Sequence, residues 1–385
     1  MRIVIFMTSM YLVCHVSFAD NRTVIFPNAC LPGQHIIIAA VGDVLLHQPL
    51  QQAGQQKGFE TLWEEALPYI HSADLAYANL EGPIAPNITA SGKEMHHADA
   101  GNQEVYSSYP AFNYPPTLAH ALKNSGFAIV STANNHALDR SSIGVDKTIK
   151  TLAQAKLPSV GTRTHDSQKN WYEILIKKNF KIAWIACTEH TNGILDAHHQ
   201  ILSCYKKQDT QEILNLIHAL KYKVDAIIVL PHWGEEYQMQ PNHLQIQFAH
   251  RVLEAGATAV IGSHPHVLQP LQQYKTHDGR ATLIMYSLGN FVSYQAHPEK
   301  RTTIVLLLGL TKTPYATIIN GVRFVPMYMQ NRDREHLHLT RLPANQKTAE
   351  HEILSRVMPM GNVWYSTTLI TNPECFQQPS YNRSQ

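Results

Sequence analysis

The sequence predicts an α/β fold, because apolar runs of strand-like composition alternate with helical segments from His35 to His266. The chain has 385 residues, enough for one large domain or two smaller ones with a sizeable core. A hydrophobic content of 44% with 16% charged residues is typical of a folded protein. The formal net charge of +2 indicates neither a nucleic-acid groove nor a strongly basic membrane face, so we expect no nucleic-acid partner.

Short apolar runs that stop at glycine, proline or polar residues predict buried strands. Five of these runs have polar residues directly after their ends: 35–41, 75–78, 127–132, 224–230 and 257–261. Helical spacing of apolar residues predicts helices in the intervals: 61–71, 117–124, 144–155, 209–222 and 241–255. This repeated order of strand and helix is typical of an open α/β sheet.

Further strands are predicted outside this alternation of strands and helices. Two strand-like runs, 171–176 and 181–186, flank a polar tetrad and predict an antiparallel hairpin. The runs 281–291 and 302–310 are predicted to pair as strands, and 322–327 alternates between apolar and polar residues as a further strand.

The strand pattern predicts one main domain over 35–310 and a C-terminal extension, 311–385, that packs on it. Within the domain, the segment 83–116 is rich in Gly, Pro, Ser, Asn and His and has no clear periodicity, and the segment 188–203 is also polar. Long irregular stretches inside a compact domain are usually functional loops or insertions. We therefore predict two insertions near the site.

Residues 1–19 have the pattern of a secretory signal peptide. Arg2 supplies a positive charge, the stretch 3–16 is apolar, and the small residues Ser17 and Ala19 form a cleavage signal. We expect cleavage after Ala19 and an exported protein, either periplasmic or secreted. The alternative is an uncleaved anchor, in which case this segment would contact the membrane.

Four cysteines remain once the signal segment is set aside, and an even number permits disulfides in an exported protein. Three pairings are open. We favour Cys187 with Cys204, which would close the loop 188–203, and Cys30 with Cys375, which would tie the two ends of the chain together. The alternative is that all four thiols are free.

Polar residues that suit metal coordination recur at the predicted strand ends. In open α/β sheets, ligands bind outside the carboxyl ends of the strands, where the following residues would converge: Asp43, Glu81, Asn135, His232, His264 and His266. Oxygen and nitrogen ligands of this number exceed what one structural zinc ion needs and suit two divalent ions that share a carboxylate. Two such ions can activate a water and hold a phosphoryl group, while His136 protonates the leaving oxygen.

These motifs also have a structural interpretation. The chain has 23 histidines, most of which must be surface or hydrogen-bonded core residues, so His264 and His266 alone are weak evidence for a metal site. Asp43 could cap a turn, and the run 134–136 could cap the helix that follows it. The recurrence of the same arrangement at five strand ends favours the metal site.

Six motifs follow one another along the chain: Gly42-Asp43, Asn79-Leu80-Glu81-Gly82, Asn134-Asn135-His136, His232-Trp233-Gly234-Glu235-Glu236-Tyr237, Gly262-Ser263-His264-Pro265-His266 and Tyr286-Ser287-Leu288-Gly289-Asn290-Phe291. In this order they resemble the CapA family of bacterial capsule and poly-γ-glutamate synthesis proteins. CapA proteins are similar to calcineurin-like metallophosphoesterases, whose fold is a β-sheet sandwich flanked by helices around a binuclear site. The resemblance implies that fold and two divalent ions, which would be manganese, zinc or iron.

The resemblance also implies a role for each matching residue. Asp43 and Glu81 would be carboxylate ligands, with Glu81 as the bridge, and His136 would be the acid. The ligand shells would be completed by Asn135, His232, His264 and His266. The candidate substrate-binding residues are Asn79, Asn134, Glu235 and Asn290. The phosphoesterase pattern begins with Asp-x-His, whereas Asp43 is followed by Val44 and Leu45.

Two functions from different classes are consistent with these residues. In the first, the protein is an exported metallohydrolase that acts on a phosphoester or a related bond. In the second, it is an accessory subunit of an envelope polymer-synthesis complex that binds an anionic polymer, such as poly-γ-glutamate, without catalysis. A periplasmic binding protein without chemistry is a third interpretation.

Overall fold

The structure, a computed structural model, describes the following residues: 26, 28–99, 101–167, 170–331, 336–342, 355–357 and 364–365. The predicted signal segment, 1–19, lies outside the described residues, so its cleavage stays a prediction. Among the described residues, no helix combines the length and the apolar character needed to cross a bilayer.

Strands and helices alternate along most of the described chain. The strands are β1 (Gln34–Leu45), β2 (Leu75–Leu80), β3 (Ile129–Ser131), β4 (Ser159–Val160), β5 (Tyr172–Lys177), β6 (Phe180–Thr188), β7 (Ala226–His232), β8 (Ala259–Ile261), β9 (Leu271–Lys275), β10 (Ala281–Met285), β11 (Asn290–Ser293), β12 (Thr302–Lys312), β13 (Thr317–Gln330), β14 (His338–Arg341) and β15 (Trp364–Tyr365). The α-helices are α1 (Gln48–Lys57), α2 (Leu67–Ser72), α3 (Thr117–Asn124), α4 (Ser141–Gln154), α5 (Lys207–Leu220) and α6 (His243–Ala255).

These strands form two sheets. The first sheet has the order β14-β13-β12-β1-β2-β3-β4, with β11 beside β1 and β15 beside β13. The second sheet has the order β5-β6-β7-β8-β10-β9. Within the first sheet β1, β2 and β3 are parallel, and within the second sheet β6, β7 and β8 are parallel. Each sheet therefore directs the carboxyl ends of three neighbouring strands to one edge.

Apolar side chains between the two sheets form the central core. Tyr77 of β2 and Trp184 of β6 are buried there, and their stacked rings lie 6.1 Å apart between centroids. On the outer face of the first sheet, α1 and α3 bury Leu50 and Leu118. On the outer face of the second sheet, α5 and α6 bury apolar side chains such as Phe248. The predicted β-sheet sandwich flanked by helices is confirmed.

Several sequence predictions agree closely with the structure. The helix predicted over 117–124 is α3, and the predicted hairpin is formed by β5 and β6, which are antiparallel neighbours. The hairpin turns at Lys178 and Asn179, whose φ angles are 46° and 58°. Two positive φ angles in a two-residue turn match the twist of the strands that the turn connects.

The first strand is longer than predicted. The apolar run was expected to end at Val41, but β1 continues to Leu45, so Asp43 lies within the strand and not in a loop after it. Val44 and Leu45 are buried apolar residues, which explains the continuation. The pairing of β1 with β11 shifts register between Asp43 and Val44.

The predicted pairing of the runs 281–291 and 302–310 is wrong. β10 lies between β8 and β9 in the second sheet, whereas β12 lies between β1 and β13 in the first. The chain crosses from one sheet to the other between Met285 and Asn290, where Gly289 has a φ angle of 68°. Both runs are apolar on both faces, and such runs do not encode which strand lies beside them.

Two other regions differ from the prediction in detail. The segment 61–71 is not one helix: 3-10 turns at Phe59–Leu62 and Glu64–Ala66 precede α2, which has a proline in its first turn. A proline lacks the N–H that a continuous helix would need, so the helix starts anew there. The expected boundary between 310 and 311 falls inside β12, and β13 pairs with that strand over most of its length.

One of the two favoured cysteine pairings lies within the described residues. Cys187, in β6, and Cys204 form a disulfide with a Cα–Cα distance of 5.1 Å. The bond joins the two ends of the polar segment 188–203. Cys375 lies outside the described residues, so its pairing with Cys30 stays a prediction.

The close approach of β1 to the crossing segment gives a first testable prediction. A Cβ atom on Gly42 would lie 1.8 Å from the backbone oxygen of Gly289, so no side chain fits without a backbone shift. We expect Gly42→Ala to lower the free energy of unfolding by about 1–3 kcal/mol, measured by denaturant unfolding. The control is Gly101→Ala, since a Cβ there meets no atom within 4 Å. Equal stability of the two variants would contradict the packing described here.

Candidate metal centre

The predicted ligands converge at the edge where the carboxyl ends of both sheets meet. Six side chains gather there, and all are buried: Asp43, Glu81, Asn135, His232, His264 and His266. The first three come from β1 and from the segments after β2 and β3, and the last three from the end of β7 and the loop after β8. The structure therefore brings together the residues that the sequence pattern selected.

Hydrogen bonds fix the two carboxylates at the edge of the first sheet. Asp43 Oδ1 accepts a hydrogen bond of 2.8 Å from Asn79 Nδ2, and the Asp43 N–H donates to the Gly289 oxygen at 3.1 Å. The Tyr114 hydroxyl donates to the backbone oxygen of Glu81 at 2.6 Å. Glu81 is thus held by its backbone, while its side chain remains available for a ligand.

The loop after β8 holds its two histidines in a strained conformation. His264 and His266 have φ angles of 100° and 58°, in a region that residues other than glycine rarely adopt. Such strain costs about 1–3 kcal/mol and indicates a functional constraint when it occurs at a site. His266 Nδ1 lies 3.3 Å from Asp43 Oδ2, and His266 Nε2 lies 3.7 Å from Glu81 Oε1.

His232 lies at the centre of the cluster. Its Nε2 atom is 2.8 Å from Asn135 Oδ1, 3.1 Å from His264 Nδ1 and 3.6 Å from Glu81 Oε1. Its Nδ1 atom is 2.9 Å from Ser263 Oγ. One ring nitrogen is therefore held by a polar partner while the other faces the ligand atoms, which is how metal-binding histidines are usually oriented.

Two groups of three side chains could each hold a metal ion, and Glu81 belongs to both. In each group the candidate ligand atoms lie within 4.8 Å of one another, and the groups are Glu81, His232 and His264, and Asp43, Glu81 and His266. Carboxylate oxygens and imidazole nitrogens suit manganese, zinc or iron. The shared carboxylate matches the bridging role that the resemblance implies for Glu81.

The state of Glu81 tests whether a cation fits this arrangement. The residue is fully buried, and neither carboxylate oxygen has a hydrogen-bond partner among the described residues. A buried carboxylate without donors is costly, because it loses the solvation of its charge. Divalent cations held by the two groups would satisfy the carboxylate, so the residues present fit the metal.

The pKa values reflect the same burial. Burial raises the pKa of Glu81 well above its usual value. Burial and the neighbouring imidazoles lower the pKa values of His232 and His264, which keeps both rings neutral and able to coordinate. Burial alone would lower the pKa of His266, but the carboxylates of Glu81 and Asp43 outweigh it and raise that pKa to about 9.

His136 lies beside the candidate ligand Asn135 but belongs to neither group of three. Its Nδ1 atom lies 2.7 Å from Asp139 Oδ2, and Asp139 Oδ2 also accepts the N–H of Phe112 at 2.6 Å. The Phe112 ring packs edge-on against the imidazole with centroids 4.7 Å apart. Asp139 therefore orients the ring through Nδ1, which leaves Nε2 as the nitrogen that can meet a substrate.

Three of the four candidate substrate-binding residues lie in the cluster. Asn79 connects Asp43 with His232, at 2.8 Å and 3.2 Å. Asn134 donates to the Leu80 oxygen at 2.7 Å, and Asn290 Oδ1 lies 3.0 Å from His266 Nδ1. Asn79 and Asn290 therefore contact candidate ligands directly, whereas Asn134 is hydrogen-bonded to the residue before Glu81.

Glu235 is placed differently. Its side chain is exposed, and in the described part of the chain none of the hydrogen bonds or ion pairs of the cluster involves it. The next residue, Glu236, interacts electrostatically with Glu81 and His266 instead. A role for Glu235 in substrate binding stays a prediction.

Sequence reasoning did not select the residues that the second polar segment supplies. Asn192 Oδ1 accepts a hydrogen bond of 3.2 Å from Asn135 Nδ2, and Asn192 Nδ2 lies 3.5 Å from His136 Nδ1. The ring of His190 packs against that of His264, with centroids 5.1 Å apart. The available signal was the polar segment bounded by two cysteines, but composition alone does not say which of its side chains point inward.

The position where phosphoesterases have a histidine is Leu45, which is buried among apolar residues. The nearest histidine in sequence, His47, is in neither group of candidate ligands. Its Nδ1 accepts the N–H of Tyr294 at 3.3 Å, and its ring lies 5.5 Å from that of Phe112. Burial lowers the pKa of His47 to about 4, so the ring is a neutral part of the wall of the site.

The part of the chain that contains the six motifs is similar to known proteins. Residues 37–295 match a family described as "Bacterial capsule synthesis protein PGA_cap". The chain is similar to the PGA biosynthesis protein CapA of Bacillus subtilis (strain 168), with 28% identity over 71% of this chain and 67% of that protein. It is also similar to the capsule biosynthesis protein CapA of Bacillus anthracis, with 27% identity over 67% of this chain and 60% of that protein. The chain thus spans about three fifths to two thirds of these relatives.

Solved structures are more distant. The crystal structure of the calcineurin-like phosphoesterase YfkN from Bacillus subtilis is 16% identical, covers 84% of this chain and 97% of that chain, and has a TM-score of 0.44. A TM-score below 0.5 carries no inference about activity. The chemistry of the site therefore follows from its own residues.

We expect substitution of the buried carboxylate of Glu81 to have opposite effects on thermal stability in the absence and in the presence of metal. Because burial raises its pKa, Glu81 must take up a proton when the metal-free protein folds at neutral pH, which costs stability. Glu81→Gln removes this cost, so we expect it to raise the melting temperature of the metal-free protein by a few degrees. The same change removes a ligand from both groups and should abolish most of the stabilisation by added manganese or zinc. Thermal unfolding with chelator and with metal measures both effects. A variant that gains as much stability from metal as the parent does would contradict the shared-ligand assignment.

The contact from the second polar segment predicts an indirect effect on the metal. Asn192→Ala removes the acceptor that orients Asn135, and loss of such a supporting contact usually lowers metal affinity by about 10–100-fold. Asn215→Ala is the matched control, because Asn215 lies on α5 and accepts a hydrogen bond from Gln211 on the same helix. Metal titration of both variants measures the difference. Equal affinities would show that the segment does not support the site.

Proposed function

The chain belongs to the family of bacterial capsule synthesis proteins described as PGA_cap, and on this basis we propose that it is an exported, metal-dependent hydrolase of phosphoester-type bonds in capsule or poly-γ-glutamate metabolism. The observation that supports this most directly is the buried carboxylate of Glu81, which has no hydrogen-bond donor within the described ranges and lies in both groups of candidate ligands. The names of the similar proteins refer to capsule and PGA biosynthesis, which supports a role in capsule or poly-γ-glutamate metabolism.

We propose that two divalent ions bind between the sheets. The residues that would hold them are Asp43, Glu81, Asn135, His232, His264 and His266. When bound, the ions would supply a nucleophilic water at neutral pH and neutralise the charge of a phosphoryl group. The asparagines that orient the ligands, Asn79 and Asn290, would keep this geometry fixed during the reaction.

His136 would supply the proton for the leaving group. Its Nδ1–H would be donated to Asp139, 2.7 Å away, so the second proton of the imidazolium form would be on Nε2, from which a substrate oxygen would receive it. Phe112 packs on the imidazole and donates its N–H to the same carboxylate, which restricts the ring to one orientation. The leaving oxygen would thus be protonated by a histidine that is positioned before the substrate arrives.

Burial of the cluster supports chemistry in a low-dielectric environment. The candidate ligands and His136 are at most 6% exposed. Electrostatic interactions are stronger there than in water, so fixed ligands and a fixed proton donor act on developing charge without solvent reorganisation.

A second function is an accessory role in polymer synthesis, in which the metal site binds an anionic polymer without cleaving it. The observation that favours this role is Leu45, an apolar side chain where the phosphoesterase pattern has a histidine. A site with one ligand fewer could retain metal and polymer while hydrolysing slowly. Phosphodiesterase activity and metal content, measured together, distinguish the two functions.

We expect His136→Ala to lower hydrolysis of a p-nitrophenyl phosphodiester by about 10²–10⁴-fold while metal content is retained, because a proton donor is lost and no ligand of either group of three is changed. The matched control is His218→Ala, since His218 is exposed on α5. Loss of metal in the first variant would contradict the assigned role. A metal-loaded parent that hydrolyses no phosphodiester, with an unchanged capsule phenotype in the His136 variant, would favour the accessory function.

A further inference from the structure

A lysine is held over an aromatic ring at the mouth of the metal centre. Lys300 Nζ lies 3.2 Å from the centroid of the Tyr237 ring. The face of an aromatic ring attracts a cation and can hold a lysine side chain in one position at a partly exposed site. The Tyr237 ring in turn lies 6.1 Å from the ring of His266, a candidate ligand.

The backbone of Tyr237 is held in one conformation next to the loop after β8. Its φ angle is 68°, which is unfavourable for a bulky side chain, and its N–H donates to the Pro265 oxygen at 2.7 Å. Pro265 lies between the two histidines of the loop after β8. The tyrosine is therefore attached to the segment that supplies the ligands, yet 42% of its surface is exposed.

The backbone of Lys300 is attached to the same histidine by a second route. Asn290 Nδ2 donates to the Lys300 oxygen at 3.0 Å, and Asn290 Oδ1 lies 3.0 Å from His266 Nδ1. Side chain and backbone thus both connect Lys300 to His266, one through Tyr237 and one through Asn290. A lysine held at two points beside a site is positioned more narrowly than a surface lysine.

Lys300 has no counter-ion in the described part of the chain. The lysines that form ion pairs within 4.0 Å there are Lys147, Lys178 and Lys312. A neighbouring carboxylate, Glu236, interacts with Tyr237 rather than forming an ion pair with Lys300. The ammonium group is therefore available to an external anion.

We propose that Lys300, held by Tyr237, binds an oxyanion group of the substrate beside the metal centre. This inference rests on the proposed function and names the substrate class: a molecule with a negatively charged oxygen group next to the bond that reacts. A carboxylate of a polymer such as a γ-linked glutamate chain and a phosphoryl group share this chemistry. In both cases an ammonium group forms a charge-assisted hydrogen bond to the anion.

The test measures binding without turnover. Inorganic phosphate and glutarate are titrated into manganese-loaded protein and into metal-free protein, and bound metal is determined separately. We expect Lys300→Met to weaken binding of at least one of the two anions by about tenfold or more and Lys300→Arg to retain most of it. Tyr237→Leu should weaken binding in the same direction, because the aromatic support is lost. The anion that loses more affinity identifies the group that Lys300 recognises.

The matched control is Lys221→Met. Lys221 also lies over an aromatic ring, 5.1 Å from the centroid of Tyr222, but it precedes the amino end of β7, away from the metal centre at its carboxyl end. Its substitution should leave anion affinity unchanged. Equal affinity of Lys300→Met and parent for both anions would overturn the proposal even if metal is bound. Absence of bound metal in the parent would instead overturn the proposed function, and the metal-free titration would still decide the role of Lys300.

Discussion

The structure depends on one electrostatic constraint, which is the burial of the Glu81 carboxylate between two sheets with no hydrogen-bond donor in the part of the chain that the structure describes. An arrangement of this kind is unfavourable by itself, because folding must either bury a charge or protonate the carboxylate, which the raised pKa of Glu81 reflects. The surrounding geometry is arranged around this carboxylate. Imidazoles from the second sheet face it, and the strained backbone at His264 and His266 directs two of them inward. The sandwich supplies the rigidity needed to keep these groups together.

Much of the fold could be predicted from local pattern, because hydrophobic periodicity and turn residues act over short distances. Helix α3 and the hairpin of β5 and β6 agree with prediction for that reason. The strands that lie beside β10 and β12 could not be predicted, since the sequence of an apolar strand does not specify which strand it pairs with. The predicted end of β1 was wrong because Gly42 and Asp43 are residues typical of a turn. In the structure, pairing with β2 and β11 continues the strand past both residues.

The convergence of the candidate residues could be predicted from the sequence where they follow strands, and less fully elsewhere. Asp43, Glu81 and His232 are positioned by neighbouring strands, so a strand pattern was enough to select them. Asn192 enters from an irregular segment, and its contact with Asn135 depends on how that segment folds over the site. Lys300 lies near the site only because the chain crosses between the sheets after β10, a step that the sequence pattern did not predict.

The disulfide between Cys187 and Cys204 has a consequence for when the site is completed. It joins the base of the segment that carries His190 and Asn192, and these two residues contact the candidate ligands His264 and Asn135. Closing this loop lowers the number of conformations open to the segment before it docks. In a reducing cytosol the thiols would stay apart and the segment would dock less often. Thiol oxidation would thus favour docking of the segment, and an intact disulfide would keep His190 and Asn192 close to the candidate ligands.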